Sequence, residues 1–278
     1  MTNLEFTLLL ALGSMIAGFL GALTGLGGGV VIVPLLVLVF GVPVQYAIGA
    51  SLISVIATSS GAAAAFVREG FTNIRIGMFL EVATTLGALG GAHLAAYISG
   101  SNIAIVFGVM LLVSAYLSSR RRNPTSADDK PDPIAERLRL DGDYPTPEGP
   151  RAYHVRRVPL GFAMMVFAGM LSGLLGIGSG AFKVLAMDHA MRIPFKVSTT
   201  TSNFMIGVTA AASAGVYLSR GYIAPGLAMP VMLGVLLGSL LGARLLAGAR
   251  VQTLRIVFSL VIVALGIEMI INGFSRHV

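Results

Sequence analysis

Gly25-Leu-Gly-Gly-Gly29 and Gly176-Ile-Gly-Ser-Gly180 each interrupt a long apolar run, and the reading of these two stretches decides the fold. Glycine costs about 1 kcal/mol relative to alanine in a helix interior, so three or four in five residues mark a helix break. In lipid, an unwound backbone survives only where it is buried in protein or lines a polar cavity, because each unsatisfied peptide group costs several kcal/mol. The two breaks are therefore a pair of candidate sites.

The runs around them set the class. The 278 residues are 55% hydrophobic and 11% charged, with several apolar stretches near the ~20 residues that cross a bilayer, as expected for an all-α polytopic membrane protein. The net charge of +7 is not spread as a basic face: nine of the 19 Lys/Arg and seven of the 12 Asp/Glu fall between Ser118 and Arg157. Most of the others sit at the ends of apolar segments, which fits the positive-inside pattern and not a nucleic-acid surface. Zero cysteines exclude disulfides, thiolate metal sites and a cysteine nucleophile. Glu5, instead of a basic segment, precedes the first apolar run, so that run reads as a retained helix.

The chain also repeats itself. A shift of 151 carries Gly25, Gly27 and Gly29 onto Gly176, Gly178 and Gly180, and Pro43 onto Pro194. The same shift relates Ala17-Gly18 to Ala168-Gly169, Ser51 to Ser202, Thr58 to Thr209, Gly70 to Gly221, Gly87 to Gly238 and Gly91-Ala92 to Gly242-Ala243. Such internal symmetry is common among membrane transporters.

Residues 1–119 form one membrane repeat, 120–157 a polar linker and 158–278 the second repeat. The first is expected to hold helices at Leu4–Thr24, from the break to Phe40, and at Val44–Val67, Ile74–Ile98 and Asn102–Ser119. The second is expected to hold Val158–Leu175, Ala181–Met191, Phe195–Ser219, Ile223–Ala247 and Val251–Asn272. Pro43 and Pro194 begin helices, where a missing N–H is harmless. The short helix after each break, ~18 Å long, is too short to span comfortably, so it returns with its predecessor as a re-entrant hairpin. A hairpin plus three crossings is an odd number of passes, which makes the halves inverted repeats. Alternation then places Arg68, Arg75, the linker, Arg192, Lys196, Arg250 and Arg255 on one side, and Arg220, Arg276 and His277 on the other. By the positive-inside rule the crowded side, with the linker, is cytoplasmic, in a multi-pass protein of the bacterial inner membrane. The linker, rich in Pro, Asp and Arg, reads as a solvated tether with a surface helix at Ile134–Leu140.

The helices starting near Gly29 and Gly180 would point their N-termini inward from opposite faces, each with roughly half a positive charge and free N–H groups. Converging ends make an anion site. Gly25, Gly27, Gly28, Gly29, Gly176, Gly178, Ser179 and Gly180 are its candidate residues, against the alternative that the glycines only let helices pack closely. After each proline comes a polar motif, Ala47-Ile-Gly-Ala-Ser51 and Ser198-Thr-Thr-Thr-Ser-Asn203. Ser51, Thr200, Thr201, Ser202 and Asn203 are candidates to coordinate oxyanion oxygens, or else to bond their own helix.

Intramembrane charge is the remaining signal. Lys183 has Ile32 as its repeat mate and reads as a counter-ion to a transported anion, as a snorkelling cation, or as the partner of Asp188. Glu81, His93, Asp188 and His189 are candidate proton carriers, with Glu268 a further carboxylate. Asp188 can instead pair with Arg192 four residues on, and Arg244 reads as a snorkelling residue.

Gly-x-Gly-Gly-Gly with Val-Pro in Gly25–Pro34, Ala47–Ser51, Gly176–Gly180 and Ser202 together resemble the TauE/SafE family of sulfite and organosulfonate exporters. The resemblance covers nearly all but the linker. Phe182–Met191 with Pro194–Phe204 resembles a subset of that family, while Ser179 and Leu185 depart from the usual Gly and Pro. The resemblance implies efflux of sulfite or C2 sulfonates such as sulfoacetate across the bacterial inner membrane. An ion-gradient-coupled secondary transporter is the expected function, with a passive anion channel, or a permease for another carboxylate or oxyanion, as the alternative. No cofactor or metal is expected, and the partners are a small anion and the bilayer, with a homodimer left open. The absence of Gly-x-Ser-x-Gly, His-Glu-x-x-His and Walker A motifs argues against an enzyme.

Overall fold

The computed structural model describes residues 3–24, 29–68, 70–119, 132–146, 148–246 and 251–275. In chain order the elements are α1 (Asn3–Thr24), α2 (Gly29–Pro34), α3 (Val44–Arg68), α4 (Ile74–Leu94), α5 (Gly100–Ser119), α6 (Pro133–Leu138), β1 (Gly142–Thr146), β2 (Gly149–Tyr153), α7 (Val158–Leu175), α8 (Gly180–Leu185), α9 (Phe195–Ser219), α10 (Pro225–Leu246) and α11 (Val251–Ser275). The short α2 and α8 each widen into a π-type turn, Leu35–Val39 and Ala186–Ala190.

The 151-residue shift that relates the sequence motifs also carries α2 onto α8, the first π turn onto the second, and α3 onto α9, residue for residue. Backbone angles repeat with it. Pro34 (φ −58°, ψ −42°) and Leu185 (φ −60°, ψ −45°) enter the π turns, and Phe40 (φ −95°, ψ −5°) and Met191 (φ −92°, ψ −3°) leave them. Because Leu185 makes the same turn without a proline, the widening belongs to the shared fold and not to Pro34. Arg192, at φ +59°, stands where the first half has Gly41 at φ +63°. The arginine thus accepts a left-handed backbone that costs a non-glycine residue roughly 1–2 kcal/mol.

Helix α1 packs along α10 and α4 along α7, while α3 meets its mate α9 and α5 its mate α11. Glycines set the spacing. A Cβ on Gly18 would collide with the Val235 carbonyl, and the repeat-related Gly169 would collide with that of Thr84. Gly238 lies on the Met15 carbonyl and its mate Gly87 on that of Val166. Such close backbone approach through small residues is how membrane helices gain contact area where lipid supplies no hydrophobic drive. Directions follow from the same contacts. Gly169 and Gly173 on α7 meet Thr84 and Ala88 on α4 in the same order, a parallel pair. Gly49 meets Tyr222 just past α9 while Gly207 of α9 meets Ser59, so α3 and α9 run antiparallel. Gly108 against Gly266 and Gly273 against Ser101 make α5 and α11 antiparallel as well.

The outer faces are apolar. Met78, Val82 and Leu86 form an exposed stripe on α4, and their mates Met229, Leu233 and Leu237 form the same stripe on α10. Among the described residues, Ile74–Leu94 and Val158–Leu175 are long and apolar enough to cross a membrane.

Asp132–Arg157, expected as a solvated tether, is instead folded onto the helices. Asp132 caps α6 by accepting from the Ile134 N–H at 2.9 Å, and its other oxygen accepts from the Val158 N–H at 3.1 Å. Strands β1 and β2 pair antiparallel. Ala135, Leu140, Tyr153 and Val155 are buried in one cluster with Ile76, Leu80, Met187 and Met191. The Asn73 amide donates to the Tyr153 hydroxyl at 2.7 Å and to the Leu140 carbonyl at 3.2 Å. Burial pushes the Tyr153 phenol up to about 12. Mean composition, dominated by Pro, Asp and Arg, hid four apolar residues that converge only once the hairpin forms.

Candidate functional site

The start of α2 meets the second break between the packed helices. Gly29, which opens α2, lies against the second break: a Cβ there would sit 3.1 Å from the Gly176 carbonyl and 2.8 Å from Ser51 Oγ. Ser51, from α3, donates its hydroxyl to that carbonyl at 2.9 Å, tying the halves together. Gly25, Gly27 and Gly28 lie outside the described residues.

The second break is buried throughout from Gly176 to Gly180. Gly176 and Gly178 both take φ +69°, and Ser179 follows at φ +44°. Three left-handed residues in four reverse the chain and start α8, where the Ser179 carbonyl accepts from the N–H groups of Phe182 and Lys183 at 3.0 and 3.1 Å. Ile206 of α9 presses on the break, 2.7 Å from where a Gly178 Cβ would be. The Ser179 hydroxyl is buried without a hydrogen-bond partner among the described residues, and its left-handed backbone is one that a non-glycine residue adopts at a cost.

The polar run at the start of α9 divides by face. Ser202 reaches the break, donating to the Gly180 carbonyl at 3.3 Å. Thr200 turns back on its own helix, to the carbonyls of Lys196 and Val197. Thr201 accepts from the Asn73 N–H at 3.1 Å, toward the folded linker, and Asn203 is half-buried. At 100° per residue, neighbours in sequence point in different directions, so the six consecutive polar residues Ser198–Asn203 cannot all serve one pocket.

Seven residues beyond Ser202, on the same face, Thr209 was not singled out by motif, yet it carries the most connected hydroxyl in the core. Its Oγ1 accepts from Lys183 Nζ at 2.5 Å and donates to Glu81 Oε1 at 2.7 Å. Lys183 is fully buried, so the choice left open in the sequence falls to neither snorkelling nor Asp188. Glu81, 8% exposed, also accepts from Thr85 at 3.3 Å, while its Oε2 is buried with no partner. Three elements, α4, α8 and α9, thus bring one cation, one carboxylate and a bridging hydroxyl together in an apolar interior. A buried charge is tolerable only when paired in this way. The i+7 spacing from Ser202 to Thr209 was the available signal; the α4–α8 proximity had none.

The remaining titratable candidates lie elsewhere. His93 is exposed at the end of α4, where its carbonyl accepts from Arg220 at 3.2 Å. In the second π turn, Asp188 Oδ2 lies 3.4 Å from Nδ1 of the exposed His189. Glu268 is exposed on α11. Among the described residues no cluster of three His, Asp or Glu side chains is placed to hold a metal ion.

Residues 10–269 match the family model described as sulfite exporter TauE/SafE. The probable membrane transporter protein YunE of Bacillus subtilis is 28% identical over 279 residues, spanning 97% of this chain and 99% of that protein. A second Bacillus subtilis protein, the probable membrane transporter protein YdhB, is 28% identical over 231 residues, 83% of this chain and 84% of its own. A probable membrane transporter protein of Xylella fastidiosa is 26% identical over 266 residues, covering 95% and 94%. No solved structure matches the chain.

Proposed function

The chain belongs to the TauE/SafE sulfite exporter family of membrane transport proteins, and on that premise we propose that it is a secondary transporter carrying sulfite or a C2 organosulfonate such as sulfoacetate out across the bacterial inner membrane. The observation that carries this reading is the start of α2 lying against the second break, Gly29 against Gly176, with the fully buried Lys183 three residues past Gly180. Backbone N–H groups at interrupted helices and one ammonium suit an oxyanion, and the apolar surroundings exclude water that would screen them.

The packing supports an inverted relation between the halves. Mates α3 and α9 run antiparallel, as do α5 and α11, while α4 and α7 are parallel, as a two-fold axis in the membrane plane requires. Inversion gives alternating access its logic. Each half can rock about the shared site to open it to one side and then, by the same movement in the other half, to the opposite side. Ser51 on α3 and Ser202 on α9 both donate to the second break, at the Gly176 and Gly180 carbonyls, and so tie it to one helix of each half.

The test is uptake of radiolabelled sulfoacetate into proteoliposomes holding the purified protein, with an acidic exterior imposed. Accumulation above the external concentration, abolished by Gly178→Leu, supports a gradient-coupled carrier with its site at the break. Flux that stops at equal concentrations identifies a passive anion channel. Absence of flux with sulfoacetate, sulfite and isethionate removes the substrate class.

A further inference from the structure

Glu81 and Lys183 are joined through Thr209, Lys183 standing three residues past Gly180, and the charge count there constrains what else can bind. Lys183 Nζ and Glu81 Oε1 share the Thr209 hydroxyl, at 2.5 and 2.7 Å, so the cation is already neutralised through one bridge. Thr84 Oγ1 lies 3.4 Å from the same hydroxyl, and Thr85 reaches Oε1. Oε2 is the free corner of this carboxylate, buried with no hydrogen-bond partner among the described residues.

Among the described residues, the other elements packed around α4 bring no competing charge: the folded linker meets Ile76 and Leu80 through Ala135, Leu140, Tyr153 and Val155, of which Tyr153 is titratable and bonds Asn73 just before α4. α7 carries no titratable residue along its length. α9 faces Glu81 with Thr209, and its own ionisable residues, Lys196 and Tyr217, stand near its two ends. Arg75 and His93 lie at the ends of α4. From α8, only Lys183 meets the carboxylate.

We propose that the anion and a proton bind to this site together, the proton adding to the Glu81 carboxylate as the anion replaces it at Lys183, so that a monoanion such as isethionate or hydrogensulfite moves with its proton as a neutral pair and a dianion such as sulfoacetate moves with one charge offset. This rests on the transporter reading above. With Glu81 ionised, the pair is neutral, and an added anion would leave a net negative charge in an apolar interior, which is strongly disfavoured. With Glu81 protonated, Lys183 is an uncompensated cation and the anion restores neutrality. Oε2 is then the oxygen that takes the proton, while Oε1 keeps its hydroxyl partners. No bond to the anion is made or broken. The two ligands move in the same direction, so net flux follows the combined anion and proton gradients. Export requires an internal anion excess large enough to exceed any inward proton gradient.

The test uses isethionate, a sulfonate whose charge does not change across the range measured. Binding to the purified full-length protein is followed by calorimetry from pH 5 to pH 8. One linked proton weakens isethionate binding up to tenfold per pH unit above the Glu81 midpoint. Glu81→Gln, a mimic of the protonated acid, removes that dependence and binds at pH 8 as tightly as the wild type does at pH 5. A second measurement needs no variant. An isethionate gradient across wild-type proteoliposomes drives proton movement in the same direction, read by an internal pH dye. Wild-type binding and flux that are independent of pH, with no dye signal, overturn the coupling while leaving the transporter reading intact. Failure to bind isethionate at any pH in this range overturns the coupled site, and failure of sulfoacetate and sulfite to bind as well overturns both.

Discussion

The two helix breaks share a scaffold and differ in chemistry. In the first half, α2 is walled by Val30, Val31, Ile32 and Val33, all buried. In the second, the residue matching Ile32 is Lys183, and around it stand Thr209 and Glu81. The mate of Thr209, Thr58, spends its hydroxyl on the Ser54 and Val55 carbonyls of its own helix, and the mate of Glu81 is Met232. The backbone nonetheless repeats to within a few degrees at both π turns. The backbone geometry is duplicated as a frame, whereas the buried charge belongs to the second copy: Lys183 stands where the first has Ile32.

That contrast sets the expected effects. Lys183→Met removes the cation and should weaken isethionate binding by at least about thirtyfold, measured calorimetrically at pH 5, because truncating one member of a buried charge pair typically costs 2–5 kcal/mol. Ile32→Val at the matching position should leave affinity unchanged and cost about 1 kcal/mol of stability. Equal losses of binding at both positions would end the distinction between frame and charge.

The frame should respond alike in both copies. Gly18→Ala and Gly169→Ala each push a methyl into a backbone carbonyl of the neighbouring helix, at Val235 and Thr84. Both should destabilise by about 1–3 kcal/mol in thermal unfolding. A large loss in one and none in the other would show that the packing is not repeated.

A smaller effect, of opposite sign, is expected at Ser179, which has a left-handed backbone (φ +44°) at the position where the first half of the sequence carries Gly28. Ser179→Gly should raise stability by about 1 kcal/mol while weakening anion binding several-fold. Unchanged affinity would reassign the hydroxyl to neither half's chemistry.

The smallest is in the folded linker, which has no counterpart in the repeat. Tyr153→Phe loses the bond from Asn73 and should cost about 1 kcal/mol. The Tyr153 phenol is raised from 10.0 to about 12 in the folded protein. Its contribution is therefore complete below pH 10 and lost as pH rises from 10 to 12. Melting temperature should fall over that window in the wild type and fall less in the variant.

Helix positions were legible because glycine clusters, prolines and apolar runs act locally. Residues 29–39 and 180–190 appear as the short helices that the breaks at Gly25 and Gly176 require, and α3 and α9 begin directly after Pro43 and Pro194. Lys183 stood out as a charge in an apolar run. Its partner did not, because Glu81 is about a hundred residues away and is brought near by α4–α7 packing that no local pattern encodes. Thr200 and Thr201 were grouped with Ser202 by adjacency, whereas helical rotation sends them to other neighbours. The hairpin of the linker was invisible for the opposite reason: its apolar residues are few, and only their convergence on Ile76 and Met191 makes a core.

Accessibility of Gly70 and Gly221 tests the inverted frame most directly. They are repeat mates in exposed turns, at φ +73° and +74°, and the chain has no native cysteine. Single cysteines at the two positions, probed in intact cells and in inverted vesicles with a membrane-impermeant maleimide, should label from opposite sides: residue 221 in cells, residue 70 only in inverted vesicles. Labelling of both from the same side would mean that the halves face the same way, and the shared site between their breaks would not exist.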